Sequence, residues 1–200
     1  FCKKILIKMG VKDKKISIVP YGIDNKWFNL TPRPKEKRIL YIGQISLAKG
    51  IQYFCEAARI ISSQGLNYDF RAVGSPKVDL NQSLFKGVSF TGTIPRDLIY
   101  KEILLADIVV LPTLSDAFAI SHIEAMACEV PVITTNNCGS IVIDSKTGFI
   151  VSSGNSTELA NKITTIVENR KLRKKMSLAS KKMAMQYTWL EYEKNLFNVL

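Results

Sequence analysis

Short, mostly apolar runs set between longer stretches of helical periodicity constrain this chain more than any other feature. RILYIG (38–43), YDFRAVG (68–74), VSFTG (88–92), DIVVLP (107–112), VPVITT (130–135) and GFIVS (148–152) each read as a strand, and so does KISIVP (15–20), which makes seven. Between them lie helical patterns: Gly50 to Ser63, RDLIYKEILLA (96–106) and a short small-residue helix ending near Cys128. Three more helices, 156–170, 171–186 and 188–200, close the chain. A strand that is apolar on both faces has to be covered on both, which is the condition of a parallel sheet, and alternating helices supply the cover. The expected fold is therefore α/β, a doubly wound (Rossmann-like) parallel sheet with helices on both faces. NLTPRPKEK (29–37) is polar and carries two prolines, so it reads as a linker. Residues 1–30 are then a lead-in segment and 31–200 the domain proper.

Two hundred residues suffice for one well-buried domain. No apolar run approaches the ~20 residues of a membrane span. The opening FCKKILIKMG lacks the apolar core and cleavage site of a secretory signal. The absence of an initial Met suggests a piece of a longer protein. The four cysteines form no C-x-x-C pair and His122 is the only histidine, so neither a zinc site nor a disulfide framework is expected. Reduced thiols suit a cytoplasmic protein. The net charge of +11 suits an anionic ligand, an anionic membrane face or nucleic acid. Seven of the cations fall in NRKLRKKMSLASKK (169–182), on a helical surface. No RNA-recognition or helix-turn-helix pattern is present, so nucleic acid is not an expected partner.

Ligands of open α/β sheets bind at the carboxyl ends of the strands. After RILYIG come Gly43, Gln44 and then ISLAKG, where Lys49 and Gly50 open a helix. A glycine turn into a helix N-terminus offers free amides to an anion, and Lys49 would add a point charge. After VSFTG, the amides of Thr93 and Ile94 can meet a flat ring. After DIVVLP, Asp116 falls in the strand-to-helix loop and Glu124 about one turn into the helix that begins near Ile120. Two carboxylates on either side of exposed helix amides suit hydroxyls at both ends of a ligand and a diphosphate between them, which is the shape of a nucleotide sugar. Taken singly, Asp116 reads better as a helix cap and Glu124 as an acid complementing the helix dipole; taken together with Lys49, at two strand ends of one sheet, they read as a site. His122, Cys128 and Cys138 read as packed residues rather than catalysts.

ISIVPYGID, YIGQISLAKGIQYFCEAA, the long block from VSFTG through EAMACEVPVITTNNCGS, and KTGFIV together resemble the C-terminal, donor-binding half of the retaining GT-B glycosyltransferases, the "glycosyl transferases group 1" family with its E-x7-E motif. The resemblance implies that Glu124 binds the ribose, Asp116 the hydroxyls of the transferred sugar and Lys49 the diphosphate, with Asp116 and Lys49 at the reaction centre. It implies that the amides of Phe118, Ala119, Ile120 and Ser121 hold sugar and phosphate, and that main chain at Ile94 meets the base. Gly43, Gln44 and Gly50 complete the donor-binding set. The donor would be a UDP- or GDP-sugar, with no metal and no cofactor, and the product a cell-surface polysaccharide or glycolipid. Gln44 stands where many members have Arg, Asp116 where Glu is commoner, and Ala117, Ala119 and Glu129 where glycines are usual. An N-terminal acceptor domain is implied as the partner, so the isolated chain is expected to transfer little or no sugar. Peripheral contact with the inner, anionic membrane face is a further expectation. The rival readings are a non-catalytic nucleotide-sugar-binding scaffold, a nucleic-acid-binding domain and a nucleotide-sugar epimerase.

Overall fold

The computed structural model describes residues 1–199, so the final position of the expected last helix lies outside the described residues. Six parallel strands form one sheet: β1 (Arg38–Ile42), β2 (Asp69–Val73), β3 (Ser89–Phe90), β4 (Ile108–Leu111), β5 (Val132–Thr135) and β6 (Gly148–Val151). Their spatial order is β3-β2-β1-β4-β5-β6, so the winding reverses between β1 and β4. Among the described residues seven α-helices accompany them: α1 (Cys2–Lys8), α2 (Ile51–Ser63), α3 (Ile99–Leu104), α4 (Ile120–Ala127), α5 (Ser156–Glu168), α6 (Arg170–Ala184) and α7 (Trp189–Phe197).

The period-2 geometry of a strand explains why the central runs are apolar throughout. Ile39 and Tyr41 of β1, Ile108 and Val110 of β4 and Ile133 of β5 point into one core with Phe54 of α2 and Ile163 of α5. Leu40 and Ile42, Val109 and Val132 point into the other, with Ile103 of α3, Met126 of α4 and Ala184 of α6. The doubly wound expectation holds. Helices α5, α6 and α7 are capped by Asn155, Asn169 and Thr188, whose side chains accept from the amides of Glu158, Leu172 and Glu191.

KISIVP is not a strand. Residues 13–15 form a 3-10 turn, and the extended residues after it join no sheet. Ile18 is 65% exposed. A strand needs a ladder partner as well as apolar side chains, and this segment is fastened elsewhere: Ile23 donates to the Tyr187 carbonyl at 3.0 Å, at the junction of α6 and α7. The expected boundary at residue 30 also cuts through packed structure. Ile23 and Trp27 are buried in the core beside α4, and the Cys128 thiol lies 3.8 Å from the Trp27 carbonyl. No helix among the described residues is long and apolar enough to cross a membrane.

Candidate donor-binding site

The carboxyl ends of β1 and β4 meet at the point where the strand order reverses, the place where open α/β sheets bind ligands. The loop after β1 is tied to the loop after β4: the Leu114 amide and the Thr113 hydroxyl both donate to the Ala48 carbonyl, at 2.9 and 3.0 Å. Gly50 makes this contact possible. Its φ is +77°, and a Cβ there would lie 1.9 Å from the Pro112 carbonyl oxygen. With the loops so joined, Lys49 Nζ sits 2.7 Å from Asp116 Oδ2, both side chains largely shielded.

Asp116 is therefore an ion-pair partner of Lys49 and not a helix cap. The N-cap of α4 is Ala119, and no side chain caps that helix. The loop carrying Asp116 is pinned against residues 137–139. Asp116 donates to the Asn137 carbonyl at 2.9 Å, Gly139 donates to the Asp116 carbonyl at 3.0 Å, and Ala119 donates to the Gly139 carbonyl at 3.0 Å. Gly139 is required for this pairing, because a Cβ there would lie 1.9 Å from the Ala117 carbonyl oxygen.

Two expectations about free amides need correction. The amides of Lys49, Gly50 and Ile51 already donate to the carbonyls of Ser46, Leu47 and Ser46, so the turn at Gly50 supplies a cation but not an amide nest. The Ala119 amide is likewise taken by Gly139. The amides of Phe118, Ile120 and Ser121 have no partner among the described residues. These three remain at the uncapped, positive end of α4.

Glu124 lies in the second turn of α4, 2% exposed, and its Oε1 accepts from Arg96 Nη2 at 2.6 Å. It is no solvated first-turn acid. It forms part of the wall of a cavity of about 590 Å³ whose sides include Ile120, Trp27, Tyr100, Trp189 and Arg96. Burial pushes the Glu124 carboxyl above the usual carboxylate range, and Arg96 opposes that shift. Ile94, half-buried, precedes Arg96 by two residues, and its amide has no partner among the described residues. Lys49 and Asp116 lie outside this cavity's lining, in the loops after β1 and β4, so the candidate site has two parts joined by the first turn of α4. Gly43 and Gln44 lie at the end of β1. Gln44 is exposed, and its carbonyl accepts from the Tyr41 hydroxyl at 2.7 Å.

His122 is wholly buried, with Nδ1 2.8 Å from the Ser140 hydroxyl and no partner for Nε2 among the described residues. Burial lowers its pKa to about 4. Cys128 and Cys138 are buried, and burial pushes both thiols up to about 12, so neither is an activated nucleophile. Glu129 takes a left-handed conformation, φ +61°, at the end of α4. That conformation accounts for the glycine usual there, and Lys181 holds the glutamate at 2.9 Å.

The glycosyl transferases group 1 family matches residues 23–183 of this chain. The chain belongs to that family. Among curated relatives, the capsular polysaccharide biosynthesis glycosyltransferase CapM of Staphylococcus aureus is 29% identical over 95% of this chain and 57% of its own length. The D-inositol 3-phosphate glycosyltransferase of Paenarthrobacter aurescens (strain TC1) is 27% identical over 90% of this chain and 50% of its own length. The chain spans about half the length of the curated relatives it matches. Among solved structures, Anabaena HepE in complex with UDP superposes with a TM-score of 0.82 at 18% identity, over 98% of this chain and 60% of that one. The C-terminal domain of a group 1 glycosyltransferase from Francisella tularensis gives a TM-score of 0.69 at 23% identity, over 84% of this chain and 95% of that one. The fold of this group 1 chain is thus one Rossmann-like unit, covering roughly half of a GT-B glycosyltransferase.

Proposed function

We propose that this chain is the donor-binding domain of a glycosyltransferase that takes a sugar from a nucleoside diphosphate, with retention at the anomeric carbon, for a polysaccharide or glycolipid acceptor. The observation that carries the proposal is the Lys49–Asp116 pair at the strand-order reversal, beside the uncapped end of α4. Glu124 would accept from the ribose hydroxyls inside the neighbouring cavity. The diphosphate would lie along the free amides of α4 and meet Lys49. Asp116, freed in part from Lys49 by the incoming phosphate, would orient the sugar. Fixed donors aimed at a leaving diphosphate stabilise its growing charge without reorganisation. The UDP complex of HepE, a protein of the same fold, supports the choice of ligand class.

Titration with UDP, GDP and uridine tests the assignment. Glu124→Ala should weaken the preferred nucleotide by about 1–3 kcal/mol through the lost ribose contacts. Lys49→Ala should lower UDP or GDP affinity toward that of the bare nucleoside and leave nucleoside binding unchanged. The scaffold reading draws on Gln44, Ala117 and Ala119, and it parts from the enzyme reading on sugar transfer by the protein with its acceptor-binding portion.

The exposed side of α6 presents Arg170, Lys171, Lys174, Lys175 and Lys182, and on the same helix and its C-cap Leu178 and Met185 are each 57% exposed. Cations with interspersed apolar side chains suit an anionic lipid surface, each contributing roughly 1 kcal/mol. Flotation should show binding to phosphatidylglycerol vesicles and none to phosphatidylcholine, with Lys175→Gln weakening it about fivefold. Equal flotation with both lipids removes this partner.

A further inference from the structure

Arg96 contacts the deepest carboxylate of the site from an exposed position: its side chain is 71% accessible, whereas that of Glu124 is 2% accessible. The contact is single. Nη2 donates to Oε1 at 2.6 Å, and Oε2 has no hydrogen-bond partner among the described residues. A guanidinium that engaged both oxygens would close the carboxylate, while this one leaves one oxygen unengaged on a residue that lines a cavity with Trp27, Tyr100 and Trp189. We propose that Arg96 is a positioning residue, which holds one oxygen of Glu124 and leaves the other open to the hydroxyls of a nucleoside. The inference rests on the donor-site reading above and adds to it a specific residue and a pH dependence.

The physical argument begins with burial. A carboxylate removed from water tends to take up a proton, and a carboxylic acid presents one hydroxyl donor where a ribose diol needs acceptors. Arg96 opposes protonation by charge and fixes the orientation of the group. The other charged or titratable groups facing Glu124 are few. Lys26 and Asp24 come from the segment before β1, and their side chains pair with each other at 3.6 Å. Asp97 and Tyr100 follow Arg96 in the same cavity wall, and Cys128 follows Glu124 at the C-cap of α4 with its thiol kept protonated by burial. Lys26 adds a weaker charge of the same sign as Arg96. Arg96 is thus the cation in contact with Glu124. It reaches the carboxylate from the loop after β3, which also carries Ile94, packed against the core on the α4 side of the sheet.

The sign follows from the chemistry. With Arg96 present, the burial-driven rise of the Glu124 carboxyl is held in check, so the group ionises at lower pH than it would alone. Without it, the carboxyl protonates at higher pH, and nucleoside affinity is lost as pH falls through that new midpoint and regained at alkaline pH.

Carboxyl-carbon NMR titration of the protein, with the Glu124 signal assigned by its loss in Glu124→Gln, reads the midpoint without any ligand. Calorimetry with UDP and GDP across the same pH range reads the consequence. In Arg96→Gln the Glu124 midpoint should rise, and nucleotide affinity should fall below that of wild type across the pH range between the two midpoints. At alkaline pH the variant should bind like wild type, and Arg96→Lys should restore most of the neutral-pH affinity. Because Arg96 is exposed, both variants should melt close to wild type. An unmoved midpoint overturns the inference, as does an affinity loss of equal size at every pH, which would make Arg96 a direct ligand contact. Wild-type protein that binds neither UDP nor GDP overturns the donor-site reading and the nucleoside part of this inference with it, while the midpoint alone still decides whether Arg96 controls Glu124.

Discussion

Gly50→Ala should destabilise the protein by roughly 3 kcal/mol or more, a drop of about 6–12 °C in Tm for a chain of this size. Two costs combine. A Cβ in the left-handed region costs about 1–2 kcal/mol. The same Cβ would also sit 1.9 Å from the Pro112 carbonyl oxygen, a backbone atom that cannot move without separating the loops after β1 and β4. Gly65 separates the two costs. It has the same φ of +77°, and a Cβ there would meet nothing within 4 Å, so Gly65→Ala should cost about 1 kcal/mol. The difference between the variants reports the clash alone. Since that clash pushes apart the loops that carry Lys49 and Asp116, Gly50→Ala should also lose nucleotide affinity, whereas Gly65→Ala should keep it. Melting curves of equal midpoint for the two variants would show that the loop contact is not required.

Acid should destabilise the fold through His122. Its folded pKa, depressed by burial to about 4, lies below the unfolded value of 6.5. The unfolded chain therefore binds a proton across that window that the folded chain refuses. The stability contribution is complete above pH 6.5, declines as pH falls and levels off below about 4, a total of about 3 kcal/mol. His122→Leu removes the titrating group, and the Ser140 hydroxyl it leaves behind still accepts from the Val142 amide. Urea unfolding at several pH values should show a slope between pH 4 and 6.5 that is shallower in the variant. Parallel slopes would mean that His122 takes up its proton without unfolding.

The sheet was readable from the sequence because burial on both faces leaves a mark, a run that is apolar without polar alternation. Ile39 through Ile42 and Ile108 through Leu111 carry that mark at every position. Ile16 to Pro20 carries part of it and still fails, because apolar character cannot reveal whether a partner strand is within reach. Lys49, Asp116 and Glu124 were readable as strand-end residues of one sheet, and the structure brings Lys49 and Asp116 into contact. The occupancy of the amides at Ala119 and around Gly50 was not readable. It depends on hydrogen bonds to Gly139 and within residues 46–51, which have no periodic signature. Arg96 was missed for a similar reason: it lies 28 residues before Glu124, and only the packing of the loop after β3 on α4 joins them. Its one advance signal was its place just past Ile94, at a strand end already under consideration.

The central claim is that Lys49, Asp116 and Glu124 serve one nucleotide sugar from two adjoining parts of a site. Calorimetry of wild type, Glu124→Ala and Lys49→Ala against UDP, GDP and uridine tests it most directly. The account predicts that wild type prefers one diphosphate over its nucleoside, that Lys49→Ala abolishes this preference, and that Glu124→Ala weakens nucleoside and nucleotide alike. Nucleotide affinity left unchanged by both substitutions would contradict it.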